Sequence, residues 1–190
     1  MKLLPFLLLS LLPALAADPS MIAHPNSIEG TGQTYSERLR ILTDLDGDGV
    51  EDLLLSGDSA SSGKMGRVWS VYLKRKGEYA QVGEIWAHPK AIAIEQDQDR
   101  IRSDPKARRH ARIWVYLRGS GRNGSFGYYR VGDQGVDELK SVEIYPGDGG
   151  TELGNAIYEA TFKRSPVPFK IQHSTTSATG EVSWADTKTN

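Results

Sequence analysis

Apolar and polar residues alternate with a period of two through most of the chain after residue 37, and short Gly-containing turns interrupt the alternation. Leu39, Ile41 and Thr43 alternate with Arg38, Arg40 and Leu42, which predicts a strand with one wetter face. Leu53-Leu54-Leu55, bounded by acidic residues and Gly57, predicts a short buried strand. Residues 68–73 and 113–117 are rich in Val, Ile, Trp and Tyr, which fill pleated surfaces. Further strands are expected at 79–86, 91–94, 126–131, 142–145, 168–172 and 181–184. One short helix is expected after the breaker cluster 146–150, where Thr151 can cap and Leu153, Ile157 and Ala160 succeed it at helical spacing. This pattern predicts a mainly β protein, an antiparallel sheet domain of sandwich or blade-like form. There is also an internal echo. Arg67-Val68-Trp69-Ser70-Val71-Tyr72-Leu73 resembles Arg112-Ile113-Trp114-Val115-Tyr116-Leu117, with Ser70 as a one-residue insertion.

The ends depart from this pattern. Lys2 precedes an apolar run from Leu3 to Leu12, and Ala14-Leu15-Ala16 has the small-x-small form of a cleavage site. Residues 1–16 are therefore read as a signal peptide, which predicts a secreted or periplasmic protein. Residues 17–37 are polar and turn-rich and read as a flexible leader. Residues 38–173 form the expected β domain, and 174–190 a Ser/Thr-rich tail whose apolar island can dock as an edge strand. No later stretch is apolar for long enough to cross a bilayer as a helix.

Composition narrows the function. Lys+Arg is 23 against Asp+Glu 24, so no global charge argues for nucleic acid. Cysteine is absent, which removes disulfides, thiolate metal sites and a cysteine nucleophile together. An exported chain of this kind needs a packed core, a metal ion, or both.

The segment Asp44-Leu45-Asp46-Gly47-Asp48-Gly49-Val50-Glu51-Asp52 places carboxylates at positions one, three, five and nine, with glycine at six. Alternate aspartates on a curled loop point inward together, and Gly49 can take the left-handed turn that closes it. Four carboxylates at these spacings repel one another without a cation. Oxygen ligands without His or Cys favour Ca²⁺. The expected ligands are Asp44, Asp46, Asp48 and Asp52 through carboxylates and Val50 through its carbonyl. An EF-hand is excluded, because its twelfth position needs a bidentate Glu and here holds Leu55. The loop, its apolar run 53–55, the Gly-rich 57–66 and the strand-like 68–73 resemble one copy of an FG-GAP (VCBS-type, integrin-like) calcium-loop repeat. That resemblance implies a structural calcium in a loop between two strands.

Other signals are weaker. Glu95, Asp97 and Asp99 alternate but lack a closing glycine. From Arg100 to Arg130 there are nine Arg or Lys residues and His110 against Asp104 alone, with Trp114, Tyr116, Phe126, Tyr128 and Tyr129 interleaved. Two readings are open. This stretch is a surface for an anionic glycan or envelope component, or its aromatics face the core while its arginines wet the opposite face. Gly119-Ser120-Gly121-Arg122-Asn123-Gly124 matches a dinucleotide fingerprint by letter, yet Phe126-Gly127-Tyr128-Tyr129 reads as a strand and not a helix, so a hairpin turn is expected. Ser61-Ser62-Gly63-Lys64 stands without companion motifs, and the four histidines are scattered. The composite expectation is a secreted calcium-binding β module without catalytic residues. Its alternative is a small secreted hydrolase of envelope or extracellular polymers, with Asp148 and Glu152 as the acids.

Overall fold

The computed structural model describes residues 18–22, 37–57, 66–96, 110–118, 124–144, 150–163, 165–177 and 179–187. The expected signal peptide, most of the expected leader, Ser61–Lys64, Asp97, Asp99, the cations of the basic stretch at 100–109 and Arg122, most of the Gly119–Gly124 turn and Asp148 lie outside them.

Two antiparallel sheets make up the domain. The first contains β1 (Leu39–Thr43), β2 (Asp52–Ser56), β3 (Arg67–Arg75), β4 (Glu78–Ala87), β9 (Ile171–Thr176) and β10 (Val182–Asp186) in the order β10-β9-β1-β2-β3-β4. The second is the meander β5 (Ile92–Gln96), β6 (Ala111–Arg118), β7 (Gly124–Val131) and β8 (Val136–Ile144). Among the described residues one α-helix, α1 (Gly150–Phe162), comes after β8. Among the described residues no helix is long and apolar enough to cross a membrane.

The sheets share one apolar core. Ile41, Leu54, Trp69, Val71, Leu73 and Ile85 from the first meet Ile94, Ile113, Val115 and Val131 from the second. Burial of β1 alternates residue by residue, as a strand with one face on a core requires. β2 is buried at every position, which explains why its sequence is an apolar run and not an alternation. Where β4 passes the start of β8, Gly83 has no room for a side chain: a Cβ would stand 2.8 Å from Val136 Cγ2.

The face of the first sheet opposite this core is tied to the leader. Residues Pro19–Met21 form one 3₁₀ turn capped by Asp18, and Ser20 is buried. The guanidinium of Arg38, itself buried, donates to the carbonyls of Pro19, Ser20 and Ile22. Arg40 donates to Ser20 Oγ at 3.0 Å and lies 4.5 Å over the Trp184 ring.

Two strands differ from expectation. β9 begins at Ile171, not at Pro168, because the preceding segment is held against β5: Val167 N donates to Ile94 O at 2.9 Å, and Ile94 N donates to Ser165 Oγ. β8 reaches back to Val136. As an edge strand it exposes Asp137, Glu138 and Lys140, whose polarity hid the strand pattern. The apolar island of the tail forms β10, the edge strand of the first sheet.

Candidate metal centre and aromatic face

The acidic segment is the loop between β1 and β2, so strands flank it on both sides. Its shape comes from its own side chains. Asp44 accepts Gly47 N at 2.7 Å and Gly49 N at 3.0 Å, Asp46 accepts Asp48 N, and Asp48 accepts Val50 N at 2.8 Å. Gly47 and Gly49 have φ of 74° and 84°, the left-handed region that glycine enters without steric cost. Leu45 points the other way and is fully buried in the shared core, and its carbonyl accepts Ala111 N of β6 at 2.7 Å. The loop therefore bridges the ends of both sheets.

Three of the expected ligands come together. Asp44, Asp46 and Asp48 each offer a carboxylate oxygen within 4.8 Å of the others, and this cluster can hold a metal ion. Asp46 is buried, Asp44 half-buried and Asp48 exposed. Their donor set is all oxygen, which fits a hard divalent cation. Asp52 stands outside the cluster. One of its oxygens accepts Leu45 N at 2.7 Å and the other Lys74 N at 2.8 Å, so it ties the loop to β3. Val50 is exposed beside it.

Electrostatics concentrate at this end of the molecule. Burial pushes the Asp52 carboxyl up to about 6, against its two backbone hydrogen bonds, and the charges of Asp46 and Asp44 push the same way. A carboxyl raised above its ordinary 3.8 contributes stability that is fully present below that value and is lost as pH rises through about 6. Arg75, at the end of β3, reaches Asp46 Oδ2 at 3.4 Å and Asp133 Oδ1 of the β7–β8 turn at 2.9 Å. The buried His110 lies 4.0 Å from the same Asp133 oxygen and uses Nδ1 to contact Val131 O at 2.9 Å. Sequence reasoning missed Arg75 and Asp133, because nothing local in the chain ties them to Asp46.

The aromatic stretch is resolved by strand parity. Ala111, Ile113 and Val115 face the core, so Arg112, Trp114 and Tyr116 face outward. Their cross-strand partners Arg130, Tyr128 and Phe126 share that outer face. The expected segregation of aromatics inward and arginines outward is therefore overturned for these four rings, and only Tyr129 packs on the core. The face has two halves. On one, Tyr158 and Phe162 of α1 meet Tyr116 and Phe126 at ring centroid distances of 5.5 and 6.0 Å. On the other, Trp114 stacks on Tyr128 at 3.9 Å, and both are half-buried. Arg112 Nη1 donates to the Tyr128 hydroxyl at 2.9 Å, and that hydroxyl donates to Glu95 Oε1 at 2.6 Å. Burial, then the bond to Glu95, pushes this phenol up to about 12, so it stays a donor. Glu95 thus serves the aromatic face. Of the two acids weighed for hydrolysis, Glu152 lies exposed in the first turn of α1.

Against this geometry, no protein-family model, curated protein or solved structure matches the chain.

Proposed function

We propose that this protein is a secreted or periplasmic β module in which the β1–β2 loop holds one structural calcium ion. The observation that carries the reading is the convergence of Asp44, Asp46 and Asp48 within 4.8 Å on a loop that joins both sheets. Those three carboxylates are the direct ligands, with the Val50 carbonyl adding a fourth oxygen, while Asp52 braces the loop from outside the cluster. The likeness of the loop to an FG-GAP repeat supports the same ion. The ion's role is to hold the sheet ends together in a chain without disulfides. Extracellular modules bind calcium with dissociation constants of roughly 10⁻⁴–10⁻³ M. At a hundredfold excess over that constant, the ion adds about 2.7 kcal/mol to stability. The module acts by binding, and its partner is an anionic glycan or envelope component.

Thermal unfolding of residues 17–190 with calcium, with magnesium and with chelator tests the ion. The expected result is a rise in Tm specific to calcium, absent from an Asp46→Ala/Asp48→Ala variant. Coincident curves in all three conditions would reduce the loop to an acidic turn.

A further inference from the structure

We propose that the half of the outer face of the β5–β8 sheet left uncovered by α1 binds an acidic sugar, a uronate within an oligosaccharide. This rests on reading the protein as a binding module and gives that module its site. The Trp114–Tyr128 pair presents a half-buried aromatic surface at the centre of the sheet, beside the rings of Tyr116 and Phe126 that α1 contacts. A pyranose ring lays its C–H face against such a surface, while its hydroxyls need donors and acceptors at the rim. Both are in place. Arg112 and Glu95 are held by the Tyr128 hydroxyl at 2.9 and 2.6 Å, and Arg130 holds Asp137 at 3.2 Å.

Charge selects the acid among sugars. The described outward-facing side chains supply Arg112, Arg130 and Lys140 as cations and Glu95 and Asp137 as anions, which leaves one positive charge in excess. Glu95 is engaged at the Tyr128–Arg112 chain and Asp137 at Arg130. Lys140 is exposed, pairs directly across from Tyr128 in the β7–β8 ladder, and has no acidic partner among the described residues. An ammonium with no acidic partner among the described residues, set beside a stacking surface, matches one carboxylate carried by a stacked ring.

The test is titration of the calcium-supplemented protein with glucuronate- and galacturonate-containing tetrasaccharides, beside their neutral methyl esters. The acids are expected to bind saturably and more tightly than the esters. Trp114→Ala should weaken acid and ester alike by tenfold or more. Lys140→Gln, at an exposed site that leaves folding intact, should remove the preference for the acid and weaken its binding several-fold. Equal binding of acid and ester by the unaltered protein would overturn the proposal in favour of a neutral sugar. Saturable binding to none of them, or binding indifferent to Trp114→Ala, would overturn the site itself. The two readings separate because Trp114→Ala should keep the calcium-dependent rise in Tm. If that rise is absent while uronate binding stands, only the structural ion is lost.

Discussion

Strands β3 and β6 carry nearly the same string of residues, yet their tryptophans end on opposite sides of their sheets. Trp69 of β3 is fully buried in the shared core, and its Nε1 donates to Ala87 O at 3.1 Å. Trp114 of β6 lies on the outer face, stacked on Tyr128. From the valine onward the two strands agree: Val71 and Val115 are buried in the core, while Tyr72 and Tyr116 point away from it. The difference is Ser70. Side chains alternate faces residue by residue, so one inserted residue reverses everything before it while leaving everything after it unchanged. The same insertion puts Val68 outward, opposite the exposed Trp86, where Ile113 at the matching place in β6 is fully buried. Similar residues thus build a core in one sheet and an outer aromatic face in the other.

Deleting Ser70 attacks the comparison most directly. With the β3–β4 pairing held from Val71 onward, the deletion drives Trp69 out of the core and Val68 into it. Urea unfolding should then show no cooperative transition, and a native-like transition would mean that the strand slips to restore its parity. Trp69→Ala should cost about 3–5 kcal/mol as a large cavity opens. Trp114→Ala should cost only about 0.5–1.5 kcal/mol, the scale of a lost aromatic pair, so comparable losses in the two variants would contradict the assigned faces. Ile113→Ala is expected to cost about 2–5 kcal/mol, and Val68→Ala at most about 1 kcal/mol. The smallest chemical change is Tyr128→Phe, the loss of one oxygen. It removes the hydroxyl between Arg112 and Glu95 and should lower the unfolding free energy by about 0.5–1.5 kcal/mol. A larger loss would show that this hydroxyl holds the sheet together as well as ordering its face.

The acidic loop was the most legible feature of the chain, because its chemistry is local. Asp44, Asp46 and Asp48 are two residues apart, and glycines at 47 and 49 let the backbone curl until their carboxylates meet. Asp52 was legible as a member of the motif but not as an anchor. Its backbone partners are seven residues back at Leu45 and twenty-two residues ahead at Lys74. Arg75 and Asp133 join the loop to the second sheet across separations of 29 and 58 residues, which no local pattern encodes.

The sequence by itself determined the strand content, the antiparallel β class and the clustering of aspartates, because alternation, turn chemistry and short-range spacing act within a few bonds. It also determined that Trp69 and Trp114 stand at different distances from the next valine in each strand. Only the tertiary structure decided which parity faces inward, since that depends on where the second sheet lies. Burial of Ile113 and Val115 in the core shared with Trp69 and Val71 turned one face of the second sheet into core and left Trp114, Tyr128, Arg112 and Lys140 on the other. Burial is a property of the assembled sheets, so a strand read alone carries two faces of equal standing until its partner chooses between them.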